Sequence, residues 1–325
     1  MTGSDVATGE RAPDRTWLIA LAASLWGFSS LLREPLSKVM PPLSVVLLEH
    51  VVLVLLVSPW VVPAVRAVLR ASRRTQVGVL VIGAGSSALA TTLFTAAFRL
   101  GDPVTPQVLQ KLQPVIAVLL AAALLGERLA PRFAVFAVPA LAGAWLLSFP
   151  DPFAVEVRSL LAAGLAVGAA ALWAAGTVLG RMVSAELSFL HVTTLRFTVG
   201  LAALVVVAAV DGAPVSVPLE LVPRLVLLAL VPGLLALVLY YIGLRTTAAA
   251  RATFAELAFP LTAAAVGVGL LGGRLDPSQW LGFAVVLVSV VALALHERSS
   301  SRPAVRAPAG WQAGLRERHP APADR

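Results

Sequence analysis

Ionisable side chains are rare in the long apolar stretches of this chain, and the few that occur sit where chemistry could use them. Lys111 lies about seven residues into an apolar stretch that begins near residue 104, which at ~1.5 Å per residue places it roughly 10 Å deep. Gln107, Gln110 and Gln113 surround it. At helical spacing Gln107, Lys111 and Pro114 share one face, and Gln110 with Pro114 forms the adjoining one. A cationic, amide-rich stripe of this kind suits a carboxylate or another hydrogen-bonding metabolite. Glu256 sits at similar depth in a later stretch. A solvent-reachable carboxylate there can load and release a proton, whereas one paired with Lys111 only neutralises a charge. Both readings stand at this point.

Other candidates surround these. Arg33-Glu34 and Glu49-His50 flank the Pro41-Pro42 hairpin at matching depth, as an interfacial ion-pair network or, in a sharper form, a gate. Arg196 is either a bidentate clamp for a substrate carboxylate or a side chain snorkelling to the interface. Trp26 and Trp173 could flank a central cavity, where a ring face stacks a cation or an apolar group. Tyr240-Tyr241 are the only tyrosines, and one hydroxyl, assigned to Tyr241, is expected in the same cavity. Trp17, Trp60, Trp145 and Trp280 read as interfacial anchors. Pro114 and Pro260 are expected to kink their helices at matching places and to free carbonyls one turn earlier.

The elements that position these residues follow from composition. Of 325 residues 58% are hydrophobic and 13% charged, with mean hydropathy +0.89. Soluble domains carry about 25% charged residues, so this is an integral membrane protein. The chain has no cysteine, its four histidines lack metal-ligand spacing, and no phosphate-binding loop is present. No metal, cofactor or catalytic role is therefore expected. The net charge of +8 is explained by arginines holding loops on the cytoplasmic side, without nucleic acid. Ten stretches are long enough to cross a bilayer: 17–38, 43–65, 77–99, 104–125, 132–149, 159–180, 188–210, 221–244, 249–272 and 278–295. The expected organisation is a cytoplasmic segment 1–16, a five-helix repeat 17–149, a linker 150–158, a second five-helix repeat 159–296 and a disordered basic tail 297–325.

The two halves resemble each other. A shift of 146 residues carries Arg99, Pro114, Gly126, Arg128-Leu129 and Pro131 onto Arg245, Pro260, Gly272, Arg274-Leu275 and Pro277. A shift of 147 carries Leu25-Trp26 onto Leu172-Trp173. Five spans per copy is an odd number, so the second copy enters the membrane from the opposite side. Inverted repeats of this kind are the architecture of secondary transporters, with a site near the midplane. Arginines crowd the segments that lie inside when the N-terminus is inside, among them Arg66, Arg70, Arg73, Arg74, Arg181 and the tail. Both termini are then cytoplasmic.

Leu25-Trp26-Gly27, Leu112-Gln113-Pro114, Gly126-Glu127-Arg128-Leu129, Leu195-Arg196-Phe197 and Pro260, in this order and spacing, resemble the EamA family of the drug/metabolite transporter superfamily. The resemblance covers residues 17 to 296. It implies an all-α, ten-helix protein of a bacterial cytoplasmic membrane that moves small metabolites, often amino acids, commonly with protons. Homodimers occur in that superfamily. The chain departs from the family pattern at Gln113-Pro114, where Glu-Pro is frequent, and at Glu49-His50, where Arg-Phe is common. An uncoupled facilitator of the same fold and a non-transporting membrane scaffold are the alternatives.

Overall fold

A computed structural model describes residues 15–100, 109–110, 112–127, 134–149, 151, 153, 160–212, 214–270 and 272–300. Most of the expected 1–16 segment, the 150–158 linker and the 297–325 tail lie outside these residues, as do Gln107 and Lys111. Among the described residues the regular elements are helices. The first half holds α1 (Thr16–Gly27), α2 (Ser29–Val39), α3 (Pro42–Arg70), α4 (Arg73–Leu80), α5 (Ala90–Leu100), α6 (Gln113–Leu125) and α7 (Ala134–Ser148). The second holds α8 (Leu160–Val183), α9 (Phe189–Asp211), α10 (Val222–Leu228), α11 (Ala236–Leu244), α12 (Ala249–Ala255), α13 (Ala258–Gly269) and α14 (Pro277–Ser300). Two π-helical segments, Val81–Leu89 and Ala229–Leu235, join α4 to α5 and α10 to α11.

Seven stretches are long and apolar enough to cross a membrane, beginning at Thr16, Leu43, Arg73, Leu160, Phe189, Leu219 and Ala249. Gln113–Leu125, Ala134–Ser148 and Pro277–Leu293 are apolar but shorter. The chain is a multi-pass, all-helical membrane protein. Four connections, near residues 72, 126, 186 and 247, meet at one end, recognisable from bonds between them. Arg74 at the start of α4 donates to the Leu124 carbonyl at the end of α6 at 2.6 Å. Glu127 accepts from the Ala250 amide at 3.3 Å, and Arg181 bonds the Arg245 carbonyl. We refer to this end by Ser72 and to the opposite one by Pro41.

The halves pack as exchanged copies. α1 lies against α11 and α13, and its counterpart α8 lies against α5 and α6. α3 packs on its counterpart α9, and α7 on its counterpart α14. Small residues permit this closeness, since lipid-embedded helices associate by packing contacts. A methyl group added at Gly27 would sit 2.5 Å from Thr262 Cβ and 2.9 Å from the Phe259 carbonyl oxygen. The ends of α6 and α13 are also alike. Gly126 and Gly272 have φ of 65° and 71°, in the left-handed region glycine adopts without penalty. Glu127 N–H closes on the Ala121 carbonyl at 3.2 Å, and Gly273 N–H on the Gly267 carbonyl at 2.8 Å. This six-residue closure satisfies helix-end carbonyls in both halves, and it accounts for the repeated glycine.

Three departures from a row of plain helices shape the interior. The first stretch is divided at Phe28 instead of running unbroken. The expected kinks at Pro114 and Pro260 are breaks: each proline stands in the first turn of a new helix, where its missing N–H costs nothing. The Glu256 carbonyl, which an unbroken helix would offer to residue 260, accepts instead from Phe259 N–H at 3.0 Å. The π-helical segments are the third departure. A shift of 147 residues carries 81–89 onto 228–236, which contains Ala229–Leu235.

Candidate functional site

The helix breaks open a cavity of about 550 Å³ between the halves. Of the candidates named from sequence, Trp26, Gln110, Gln113, Trp173, Arg196 and Glu256 line it, together with Pro114 and Pro260. Trp26 comes from α1, Trp173 from α8, and Glu256 from the turn between α12 and α13.

Glu256 is held by three neutral donors. The Tyr240 hydroxyl donates to Oε1 at 2.9 Å, the Thr177 hydroxyl to the same oxygen at 3.1 Å, and Gln113 Nε2 to Oε2 at 3.3 Å. The Tyr240 and Thr177 hydroxyl oxygens lie 3.0 Å apart, so the Tyr240 proton can turn from Glu256 to Thr177. Gln113 belongs to the first half and the rest to the second, so the carboxylate ties the halves together. Each partner can both donate and accept, by rotating a hydroxyl or flipping an amide. The arrangement therefore accommodates Glu256 with or without a proton, which a guanidinium or ammonium partner would not. One turn earlier, the buried Thr253 hydroxyl faces the same cavity wall without a hydrogen-bond partner.

Arg196 reaches the cavity from α9, and its Nη1 donates to the Tyr241 hydroxyl at 3.2 Å. It lies within electrostatic reach of Glu256 and His50. Tyr240, not Tyr241, is the tyrosine of the cavity wall: Tyr241 is fully buried and serves Arg196. Trp145 also differs from its expected place, because it lines the cavity and packs on Phe149 with centroids 5.0 Å apart. Of the groups bonded to Glu256, Thr177 and Tyr240 are those that sequence reasoning did not assign. The spacing Trp173 to Thr177, one helical turn, was the available signal for the first.

The aromatic walls repeat with the fold. Trp26 packs on Tyr240 at 5.3 Å, and Trp173 packs on Phe94 at 5.1 Å. The shift of 147 relates the tryptophans and the shift of 146 relates Phe94 to Tyr240. Polarity does not repeat, since Gln110 stands where the second half has Glu256.

Arg33 and Glu49 form an ion pair at 2.8 Å toward the Pro41 end, beside His50. The side chain of Glu34 lies outside the described residues. At the opposite end a second carboxylate joins the halves. Glu186 accepts from Ser72 N–H at 2.9 Å, from the Ser72 hydroxyl at 2.6 Å and from the Thr75 hydroxyl at 2.7 Å. The hydrogen bonds from Ser72 hold this exposed carboxyl below its usual range.

Comparison with known proteins agrees with this architecture. A solved crystal structure superposes with a TM-score of 0.71 at 20% identity, over 90% of this chain and all of the other, which establishes likeness of fold. Riboflavin transporter ImpX of Fusobacterium nucleatum is 28% identical over 290 residues, spanning 85% of this chain and 96% of that protein. The uncharacterized transporter YwfM of Bacillus subtilis is 30% identical over 214 residues, 63% of this chain and 69% of that one. The model of the EamA-like transporter family matches twice, over residues 16–149 and again over 160–295, one match to each half of the pseudo-symmetric bundle. With both halves accounted for in this way, the chain belongs to the EamA-like transporters and is a membrane transporter, not an enzyme.

Proposed function

We propose that this protein carries a small polar metabolite across a bacterial cytoplasmic membrane by alternating access, coupled to protons through Glu256. The three shorter apolar helices complete ten crossings, as two inverted repeats with both termini cytoplasmic. The exchanged packing of α1 and α8 supports this topology. The observation that carries the coupling is Glu256 itself: a carboxylate in the wall of a 550 Å³ cavity, bonded to Tyr240, Thr177 and Gln113, which tolerate both of its protonation states. Holding a charge at membrane depth costs several kcal/mol, and three hydrogen bonds to an ionised group offset much of that. Substrate contacts come from Trp26, Gln110, Gln113, Trp173 and Arg196, with Gln107 and Lys111 adding polar groups from the segment just before α6.

The paired indoles favour one class of cargo. Trp26 and Trp173, each backed by a second ring, form apolar faces that suit a flat heteroaromatic solute. Riboflavin, the solute in the name of the Fusobacterium relative, is such a molecule and belongs in the first panel tested. Uptake of labelled solutes into proteoliposomes, with and without an imposed pH gradient, tests the proposal in wild type and Glu256→Gln. Gradient-driven accumulation that collapses in the variant is expected. Equilibration indifferent to both gradient and variant would make the protein an uncoupled facilitator, and absence of flux for every solute would support a scaffold.

A further inference from the structure

Between the central cavity and the Pro41 end lies a second cavity, of about 370 Å³. Trp26, Ser86, Trp173 and Arg196 line both cavities and so form the wall between them. Both π-helical segments open onto the second cavity, Ser86 and Ser87 from one half, Pro232 and Gly233 from the other. A π turn widens the helix and is frequent at functional sites. Here two of them, related by the repeat, flank one space. The Ser86 hydroxyl donates to the Leu172 carbonyl at 2.7 Å, which fixes one segment against α8.

The charges in this cavity do not cancel. Among the described residues that line it, two guanidiniums, Arg33 and Arg196, accompany one carboxylate, Glu49. Arg33 and Glu49 satisfy each other at 2.8 Å. Arg196 has only the neutral Tyr241 hydroxyl as its described hydrogen-bond partner. Glu256 acts on it from the central cavity, beyond ion-pair distance. His50 adds no negative charge: its Nδ1 lies 2.9 Å from the Val46 carbonyl, so that nitrogen carries the hydrogen, and the ring meets Phe197 edge-on at 5.9 Å. An unpaired cation at membrane depth is costly and marks a ligand path. Guanidinium N–H groups form a fork that matches paired oxygens of a carboxylate or phosphate.

We propose that this second cavity is a binding site for the carboxylate or phosphate group of a small solute, with Arg196 as the cation it shares with the central cavity. The proposal rests on the transport reading only in placing two sites in series along one path. Arg196 is then the first cation without a described carboxylate at ion-pair distance that an anion meets from the Pro41 side, and it keeps that anion on passing Trp26 and Trp173.

The test requires no flux, so it can fail separately from the transport reading. The chain has no cysteine, and Thr91 lines the second cavity, so Thr91→Cys provides a single thiol there. Its labelling rates with a sulfonate-bearing and a trimethylammonium-bearing methanethiosulfonate are compared, each normalised to a free thiol. The sulfonate is expected to be favoured roughly tenfold, as one uncompensated charge nearby would produce. Acetate or inorganic phosphate, against chloride at equal ionic strength, should slow labelling severalfold. Protection by acetate alone identifies a carboxylate site, and protection by phosphate alone a phosphate site. Arg196→Gln in the Thr91→Cys background should remove preference and protection, and Arg196→Lys should keep the preference. Equal normalised rates, protection by neither anion, or a preference that survives Arg196→Gln would overturn the assignment. Should Arg196→Gln not fold, protection measured in Thr91→Cys itself still decides.

Discussion

Tyr240→Phe removes one oxygen atom and leaves the ring against Trp26, so it isolates the bond to Glu256. A hydrogen bond to a charged group contributes about 1.5–3 kcal/mol, against about 1 kcal/mol for a neutral one. The bond length of 2.9 Å to Glu256 Oε1 places it among well-formed bonds. Glu256 keeps Thr177 and Gln113 in the variant, at 3.1 and 3.3 Å, so the loss is limited to one bond. Unfolding free energies in mixed micelles, for wild type, Tyr240→Phe, Glu256→Gln and the double variant, measure it without knowledge of the substrate. Tyr240→Phe should cost about 2 kcal/mol in the wild-type background and about 1 kcal/mol or less in the Glu256→Gln background, a coupling of about 1 kcal/mol. Equal costs in the two backgrounds would refute the claim that Tyr240 acts through the carboxylate. The hydroxyl would then matter only for Thr177.

Three further outcomes follow from the packing. A methyl group added at Gly282 would lie 2.6 Å from the Gly143 carbonyl oxygen and 2.8 Å from Leu146 Cβ. Gly282→Val should therefore separate α7 from α14 and cost about 1–3 kcal/mol or more in unfolding measurements. Gly126→Ala and Gly272→Ala meet open space but retain positive φ, so each should cost about 1–2 kcal/mol, and the two costs should be similar. Glu186 has a carboxyl held below its ordinary value of 4.5, so its hydrogen bonds favour the folded state fully above that value and are lost as pH falls through the lower folded one. The difference in melting temperature between wild type and Glu186→Ala should be constant at neutral pH and shrink on acidification below the ordinary carboxylate range.

The repeat was legible in the sequence because it is written in residues with few substitutes. Gly126 and Gly272 close helices in the left-handed region, and Pro114 and Pro260 open new ones. Glu256 and Arg196 were legible for another reason: a charge in an apolar run demands an account. Neighbouring positions were harder. Tyr240 and Tyr241 stand about 100° apart on one helix, and the choice between them depends on how α11 packs against α1. Trp145 looked like an anchor because it lies near a helix end, yet that end borders the cavity. The π-helical segments left only a composition trace, glycines and serines at 83–87 and Pro232-Gly233 opposite them, since hydrogen-bond register has no direct sequence signature.

A symmetric frame carrying asymmetric side chains also accounts for which end is tied. At the Ser72 end two carboxylates reach across the halves, Glu186 from the second to the start of α4 and Glu127 from the first to the start of α12. Each meets free amides at a helix N-terminus, where negative charge is favoured. The repeat places Val39 and Gly273 at the corresponding positions of the opposite end. Neither residue has a side chain that can accept a hydrogen bond, so exchanging the conformations of the two halves does not regenerate these ties. On the alternating-access reading proposed above, closing the Pro41 end draws on other groups, and among the described residues the charged ones lining the second cavity there are Arg33 and Glu49, with Arg196 below them. The two ends thus differ in chemistry: at the Ser72 end carboxylates cross the halves to helix N-termini, whereas at the Pro41 end Arg33 and Glu49 pair within the first half. Arg196 stands apart from that pair: it borders both the central and the second cavity and has the Tyr241 hydroxyl as its described hydrogen-bond partner. On the alternating-access reading, that position lets one cation serve cargo in the central cavity and the groups of the Pro41 end alike.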